Sequence, residues 1–206
     1  MPANVCVYIL DDDAHVRRSI GFMLGTANWT SCGFAGGGAF LDAVPRLDPG
    51  CILLDVRMPD IGGIEVLAAL ERQQLRWPAV VMTGHGETEL AVQAMKLGAI
   101  DFIEKPFEEA VLLSCLDRAA ILLKTRAAQA VQDAGVKARV ARLSQREREV
   151  LQGLLAGLPN KLIAHRLGIS LRTVEMHRGN MMRRLEASSL AEALQLAGSA
   201  GVRPLC

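Results

Sequence analysis

The chain has 206 residues, of which 50% are hydrophobic and 4% aromatic. This composition allows packed cores and excludes an intrinsically disordered chain. The net charge of +1 hides an asymmetry: residues 1–125 carry 10 Lys and Arg against 16 Asp and Glu, whereas residues 126–206 carry 13 against 6. An acidic half and a basic half indicate two domains with different partners, the partner of the basic one being a polyanion.

Cysteine usage and apolar runs indicate the compartment. The five cysteines are scattered, odd in number and without CxxC spacing, which argues against a zinc site and a disulfide framework. The sequence shows no N-terminal signal segment and no apolar run of the length that spans a bilayer. These features predict a protein of the reducing cytoplasm without a membrane partner. The cysteines are Cys6, Cys32, Cys51, Cys115 and Cys206.

The first 125 residues alternate between short apolar runs and helical patterns. Such alternation implies right-handed βαβ crossovers, so the predicted fold is an α/β doubly wound, five-stranded parallel sheet. The run Gly36-Gly37-Gly38 lacks the spacing of a phosphate loop and predicts flexible backbone. The strands are predicted at residues 5–10, 31–34, 51–54, 79–82 and 100–103, and the helices after residue 13, at 39–44, 64–72 and 88–97, and from 108.

Polar side chains stand where four of these strands end. Asp11 and Asp12 follow the first strand, Asp55 the third, Thr83 the fourth and Lys105 the fifth. Because the carboxyl ends of parallel strands meet at one edge of a sheet, these groups are expected to lie together. Taken singly, Asp55 fits a helix or turn cap, Thr83 an N-cap and Lys105 a solvated charge. Their arrival at successive strand ends favours a shared site.

These residue types fit phosphoryl transfer. Clustered carboxylates bind a hard cation such as Mg²⁺ or Mn²⁺, and Asp11, Asp12 and Asp55 supply oxygen ligands. Asp55 can attack phosphorus as a carboxylate nucleophile and form an acyl phosphate. Lys105 would hold one phosphoryl oxygen as a point charge, and Thr83 would hydrogen-bond another.

The same residues lie in motifs that resemble the receiver domains of two-component response regulators, specifically the FixJ-like branch. The resemblance spans residues 1–124 and implies that Asp55 accepts a phosphoryl group from the phosphohistidine of a sensor histidine kinase. It also implies that Mg²⁺ is bound by Asp12 and Asp55, by Asp11 partly through water, and by the backbone carbonyl of Arg57. The motifs are Leu10 to Asp13, Leu54 to Asp60, Met82 to Gly86 and Ala91 to Phe107.

The resemblance alone implies two further features. Thr83 and Phe102 are expected to form a switch, although Phe102 fits a core position equally well by its sequence. The Lys105-Pro106 peptide bond is expected to be cis. Movement of the switch is expected to reshape the surface between Ala91 and Phe102 and to promote a homodimer there.

Residues 141–206 predict an all-α domain of four helices with a helix-turn-helix outline. Ser144 with Glu147 three residues later forms a capping-box pattern at the start of the first helix. Residues 125–140 predict a helical linker, either one long helix or a helix with a hinge at Gly135. The apolar stripe of the last helix fits the domain core, with dimerisation as the alternative. The second, third and last helices are predicted at 160–167, 171–185 and 189–197.

The helix at 171–185 carries excess positive charge, four Arg against Glu175 and the nearby Glu186. A solvated face is the ordinary explanation for a generic helix, but the one-sided excess favours DNA phosphates and base edges. Residues 143–197 also resemble the LuxR/NarL-type DNA-binding domain, for example at Thr173-Val174-Glu175. The four arginines of the helix at 171–185 are Arg172, Arg178, Arg183 and Arg184. The contacts to double-stranded DNA that the resemblance implies are Lys161, Arg172, Thr173, His177, Arg178 and Asn180.

The two halves together predict a response regulator in which phosphorylation of Asp55 promotes dimerisation and sequence-specific DNA binding, with RNA polymerase as a further partner. No turnover is expected beyond self-phosphorylation from a phosphodonor and slow autodephosphorylation. A phosphatase of the haloacid-dehalogenase kind is one rival, but Arg57 stands where such enzymes carry a second Asp. The other rival is a constitutive DNA-binding regulator whose receiver serves only for dimerisation.

Overall fold

The computed structural model describes residues 5–205, and the structural statements below concern those residues. The chain divides into two compact units, Met1–Arg126 and Ala127–Cys206. The limits 1–124, 125–140 and 141–206 for receiver, linker and DNA-binding domain stay a prediction. Cys206 lies outside the described residues, and the other four cysteines are free thiols.

The strands of the first unit are β1 (Cys6–Leu10), β2 (Thr30–Phe34), β3 (Cys51–Asp55), β4 (Ala79–Thr83) and β5 (Asp101–Glu104). They form one parallel sheet in the order β2-β1-β3-β4-β5, which confirms the predicted doubly wound fold. β3 is buried along its whole length, as expected for a continuous apolar run covered by helices on both faces. The register pairs Asp55 with Met82 and Thr83 with Glu104, so the strands end at a common edge.

Helices α1 (Ala14–Thr26), α2 (Gly37–Ala43), α3 (Gly63–Arg72) and α4 (Thr88–Lys96) connect these strands. Alternate side chains of β3 enter two cores, Leu53 on one face of the sheet and Leu54 on the other. Asp13 caps α1, because its carboxylate accepts a hydrogen bond from the His15 N–H at 2.6 Å. A short 3₁₀ helix over Val44–Arg46 follows α2.

Helix α5 (Glu109–Ala141) is a single helix of 33 residues that runs through Gly135. The structure therefore contains the long helix and not the helix with a hinge. Its N-terminal part contributes Leu112 and Leu116 to one core of the first unit, and Val140 near its end belongs to the core of the second unit. Neither α5 nor any other helix within residues 5–205 is both long and apolar enough to cross a membrane.

The second unit adds α6 (Gln145–Leu155), α7 (Asn160–Leu167), α8 (Leu171–Leu185) and α9 (Leu190–Ser199). The capping box is present: the Ser144 Oγ accepts from the Glu147 N–H, and the Glu147 carboxylate accepts from the Ser144 N–H. α9 buries Ala193 and Ala197 in the unit's core, so its apolar stripe is a core face. The central side chains of this core are Val150, Leu151, Ile163, Val174, Met181 and Leu185.

Candidate functional site

The predicted cluster of polar groups assembles at the carboxyl edge of the sheet. Asp11 and Asp55 are only 1% and 9% exposed, whereas Asp12 is exposed. The Lys105 Nζ lies 2.7 Å from the Asp11 Oδ2 and 2.6 Å from the Asp55 Oδ2. One ammonium group therefore bridges two buried carboxylates, which arrive on β3 and at the end of β1.

Backbone donors fix the orientation of both buried carboxylates. The Asp13 N–H donates to the Asp11 Oδ1 at 2.9 Å, and the Arg57 N–H donates to the Asp55 Oδ1 at 3.1 Å. In each carboxylate, one oxygen thus accepts a hydrogen bond from a main-chain N–H and the other accepts one from the Lys105 Nζ. Such fixed geometry is what a reacting carboxylate requires.

The burial of these groups shifts their protonation equilibria. Desolvation raises the pKa of Asp55 above its ordinary value, and the hydrogen bond and charge of Lys105 oppose this rise. Burial by itself lowers the pKa of Lys105, but its hydrogen bonds to Asp11 and Asp55 outweigh burial, so that its pKa is raised. Lys105 is accordingly a cation held beside the carboxylates.

The three carboxylates fit a hard cation. One oxygen from each of Asp11, Asp12 and Asp55 lies within 4.8 Å of the other two. Carboxylate oxygens at a partly open edge are the donors that divalent cations such as Mg²⁺ accept. The cluster is therefore a candidate metal site.

Thr83 and Phe102 occupy neighbouring strands and differ in exposure. Thr83 is 3% exposed, and its Oγ1 donates a long hydrogen bond of 3.4 Å to the Ile103 carbonyl. Phe102 is 49% exposed, so in this structure it is not a core side chain. The Lys105-Pro106 bond is cis, as the resemblance implied.

The glycine run at the start of α2 packs against the loop after β3, and the prediction of flexible backbone was wrong. The Gly38 N–H donates to the Asp60 Oδ2 at 3.0 Å, and a Cβ at Gly36 would lie 2.6 Å from the Asp60 Oδ1. A Cβ at Gly37 would lie 2.4 Å from the Ile61 carbonyl oxygen. The glycines are needed because the loop after β3 packs against this backbone.

Sequence reasoning also missed Glu87, which lies between β4 and α4. Its Oε1 forms an ion pair with the Arg57 Nε, and its Oε2 accepts a hydrogen bond from the Gly84 N–H at 2.7 Å. Arg57 follows Asp55 by two residues, and Gly84 follows Thr83 directly. No local sequence signal pairs Arg57 with Glu87, because they are brought together by the register of β3 and β4.

The surface of α8 divides into a core face and an outward face. Val174, Met181 and Leu185 are buried. Four exposed residues lie on the opposite side at helical spacing. One of them is Met176, which is 54% exposed and which sequence reasoning missed. The four are Arg172, Met176, Gly179 and Arg183.

The six predicted DNA contacts differ in exposure. Lys161 and Arg172 are exposed, whereas the other four are partly buried along the sides of α8. The Asn180 Oδ1 already accepts a hydrogen bond from Arg183 at 2.6 Å. The partly buried four are Thr173, His177, Arg178 and Asn180.

Arg184 does not belong to the outward charge, although sequence reasoning counted it there. Its Nη1 donates to the Glu147 Oε2 at 2.8 Å and to the Arg142 carbonyl at 3.0 Å. Glu147 is only 2% exposed, so Arg184 neutralises a buried carboxylate. Arg184 therefore pairs with a buried carboxylate of the domain, although its own side chain is 48% exposed.

Comparison with known proteins decides the family. Residues 7–117 match the response regulator receiver domain, and residues 141–197 match bacterial regulatory proteins of the luxR family. The chain is 47% identical to the transcriptional regulatory protein FixJ of Bradyrhizobium diazoefficiens, over 95% of this chain and 96% of that protein. The chain belongs to the FixJ-like response regulators. FixJ of Rhizobium meliloti is 43% identical, over 96% of this chain and 97% of that protein.

Solved structures agree with this assignment. Full-length FixJ from B. japonicum has 46% identity and a TM-score of 0.61, over 97% of this chain and 98% of that one. The response regulator StyR has 36% identity and a TM-score of 0.79, over 95% of this chain and 99% of that one. This response regulator is thus a phosphorylation-dependent regulator of transcription, and its receiver and LuxR-type domains imply a kinase and DNA as partners.

Proposed function

We propose that Asp55 is the phosphoacceptor of this response regulator. The observation that carries the proposal is the contact of 2.6 Å between the Asp55 Oδ2 and the Lys105 Nζ at the buried end of β3. One carboxylate oxygen of Asp55 attacks the phosphorus of a kinase phosphohistidine, an O–P bond forms, and the N–P bond breaks. The electron pair of that bond stays on the imidazole nitrogen, which takes up a proton.

Lys105 and Thr83 have separate roles in this proposal. Lys105 binds one phosphoryl oxygen as a cation that is already held at the site. Thr83 gives up its long hydrogen bond to the Ile103 carbonyl and donates to another phosphoryl oxygen. Asp11, Asp12, Asp55 and the backbone carbonyl of Arg57 would hold Mg²⁺ or Mn²⁺, Asp11 partly through water. When bound, the cation neutralises negative charge on the transferring group.

The same residues argue against repeated turnover. A second carboxylate two residues after Asp55 would serve as acid and base for hydrolysis, and Arg57 occupies that position. The acyl phosphate is therefore formed by self-phosphorylation from a phosphodonor and lost only by slow autodephosphorylation.

Movement of Thr83 carries the signal to a surface. Phe102 leaves its half-exposed position as Thr83 shifts, and this reshapes the neighbouring part of α4 and β5. Val92 and Met95 are 49% and 41% exposed, so this surface already presents apolar side chains. Burial of such a surface in a homodimer is favourable, and two DNA-binding domains are thereby brought together in the cytoplasm.

The DNA contacts follow from the outward face of α8. Phosphates and base edges of double-stranded DNA are contacted by Arg172 on this face, by Thr173, His177, Arg178 and Asn180 along the sides of α8, and by Lys161 on α7. Met176 offers an apolar contact to a thymine methyl group between Arg172 and Arg183. The bound dimer regulates transcription, with RNA polymerase as a further partner.

Intact-mass measurement tests the phosphoacceptor. The purified protein is incubated with acetyl phosphate and Mg²⁺, and we expect one added phosphoryl group in the wild type and none in Asp55→Asn or in the presence of EDTA. Digestion and peptide mapping then place the group on the peptide that contains Asp55. A phosphoryl group on Asp55→Asn would contradict the proposal.

A further inference from the structure

Glu87 binds two partners with one carboxylate beside the phosphoacceptor site. Its Oε2 accepts from the Gly84 N–H at 2.7 Å, and its Oε1 pairs with the Arg57 guanidinium. The Glu87 side chain is 12% exposed and that of Arg57 is 75% exposed. The carboxylate is therefore largely withdrawn from solvent, and its charge is balanced by these two partners.

Both partners stand next to the residues that react. The Arg57 N–H donates to the Asp55 Oδ1, so its backbone is already fixed at the phosphoacceptor. Gly84 begins the loop that leaves the sheet after Thr83, on the strand paired with β3. Glu87 consequently ties the loop after β3, which begins after Asp55, to the loop after β4.

A phosphoryl group on Asp55 would compete with Glu87 for these partners. It brings about 1.5 to 2 negative charges and three acceptor oxygens. It repels the Glu87 carboxylate and attracts the same guanidinium and the same amide. Lys105 cannot satisfy all three oxygens, because it already binds Asp11 and Asp55.

We propose that Glu87 is a positioning residue of the resting state, whose carboxylate holds the Gly84 amide and the Arg57 guanidinium until the phosphoryl group on Asp55 takes over both. This inference rests on the proposed role of Asp55. Thr83 itself is weakly held, by one hydrogen bond of 3.4 Å. Release of Gly84 from Glu87 therefore frees the loop on which Thr83 moves towards the phosphoryl group.

The exchange of partners predicts opposite effects for the two halves of one ion pair. Glu87→Gln removes the competitor, and we expect beryllofluoride, a phosphoryl mimic, to bind about two- to five-fold more tightly in the presence of Mg²⁺. Arg57→Gln removes a group that the phosphoryl group acquires, and we expect about two- to five-fold weaker binding. Initial rates of phosphorylation by acetyl phosphate should change in the same directions.

Glu89→Gln is the matched control, because it removes the same charge two residues along from an exposed carboxylate. If the pair of Arg57 and Glu87 were purely structural, either substitution would break it. The affinity for beryllofluoride would then change in the same direction in both variants. That result, or an effect of Glu87→Gln no larger than that of Glu89→Gln, would overturn the inference.

The Gly84 amide gives a readout that needs no phosphate. In ¹H–¹⁵N spectra of the metal-free protein, Glu87→Gln should shift the Gly84 signal, whereas in the beryllofluoride complexes the wild type and the variant should coincide at Gly84. A difference at Gly84 that persists in the complexes would show that Glu87 keeps the amide. Asp55→Asn separates the two claims. Beryllofluoride binding by that variant would contradict the proposed phosphoacceptor. A change of affinity in the same direction in Glu87→Gln and Arg57→Gln would contradict only this inference.

Discussion

At the scale of single residues, the site places two carboxylate groups where they are largely shielded from water. Asp11 and Asp55 are buried carboxylates that share one ammonium group, Lys105 Nζ, at 2.7 and 2.6 Å. Two carboxylate groups thus face a single ammonium group. Desolvation raises the pKa of Asp55 in the fold. A divalent cation held by these carboxylates would offset their negative charge.

The raised pKa gives a prediction for stability. A carboxyl group whose pKa is higher in the fold than in the unfolded chain stabilises the fold below its unfolded pKa and loses that contribution as pH rises through its folded pKa. Ionised Asp55 therefore costs stability at pH 7 without metal. We expect Asp55→Asn to raise the free energy of unfolding by about 1 kcal/mol in EDTA, and the gain to shrink as pH falls towards about 4.

The free energy of unfolding of the wild type and of Asp55→Asn is measured by urea denaturation with tryptophan fluorescence as the signal. Trp29 and Trp77 both lie in the first unit and report on its unfolding. Asp42→Asn is the control, because it removes the same charge from an exposed side chain. A loss of stability in Asp55→Asn at pH 7 would contradict the charge argument.

Glu147 is the residue on which the second unit depends electrostatically. Its buried carboxylate accepts from Arg184 and from the Ser144 N–H, both at 2.8 Å. Glu147→Gln leaves Arg184 without its anion, and we expect a loss of about 1–3 kcal/mol in the stability of this unit. Glu149→Gln, which removes the ion pair with Arg146 and weakens a hydrogen bond from Gln145, should cost about 0.5 kcal/mol or less.

Hydrogen exchange of the α6 and α8 amides distinguishes these two variants. Faster exchange in Glu147→Gln alone is the expected result. Equal effects of the two substitutions would mean that Arg184 contributes no more than a surface charge.

At the scale of elements, α5 is continuous although glycine weakens a helix. A Cβ at Gly135 would meet no atom within 4 Å. Gly135→Ala should therefore stabilise the helix by about 0.5–1 kcal/mol, measured by circular dichroism during urea unfolding. Gly157→Ala is the counterpart, because its Cβ also meets open space but its φ is +71°; we expect it to destabilise. A loss of helicity in Gly135→Ala would indicate a hinge.

The outward face of α8 sets the second prediction at this scale. Arg172 is exposed near the start of the helix, opposite the buried Val174. We expect Arg172→Ala to weaken DNA binding by about ten-fold and, if it contacts a phosphate, to reduce the slope of log affinity against log salt by about 1. Arg203→Ala removes the same charge from an exposed site outside α8 and should have a smaller effect. Titrations at several salt concentrations would contradict the assignment if both variants behaved alike.

At the scale of the whole molecule, patterns that are local in sequence predicted most of the fold. The helices at 160–167 and 171–185 have the predicted limits, because the turn at Gly168-Ile169-Ser170 and the apolar spacing lie within a few residues of them. The carboxylates, Thr83 and Lys105 were predicted to share an edge, because strand order in a parallel sheet fixes where strands end.

Long-range pairings could not be predicted in this way. Arg184 and Glu147 are 37 residues apart, and either charge alone is typical of a solvated surface. The pair of Arg57 and Glu87 depends on strand register, and the half-exposed position of Phe102 depends on what packs beside β5. Packing in three dimensions decides such contacts, and apolar periodicity carries no information about them.

The central claim is that phosphorylation of Asp55 in the first unit controls DNA binding by the second. The most direct measurement is the DNA affinity of the full chain with and without acetyl phosphate and Mg²⁺, at one salt concentration, for the wild type and Asp55→Asn. We predict that acetyl phosphate tightens binding at least about ten-fold in the wild type, the scale of a typical coupling between sites, and leaves Asp55→Asn unchanged. Equal tightening in Asp55→Asn, or equally strong binding by the wild type without phosphodonor, would contradict the account.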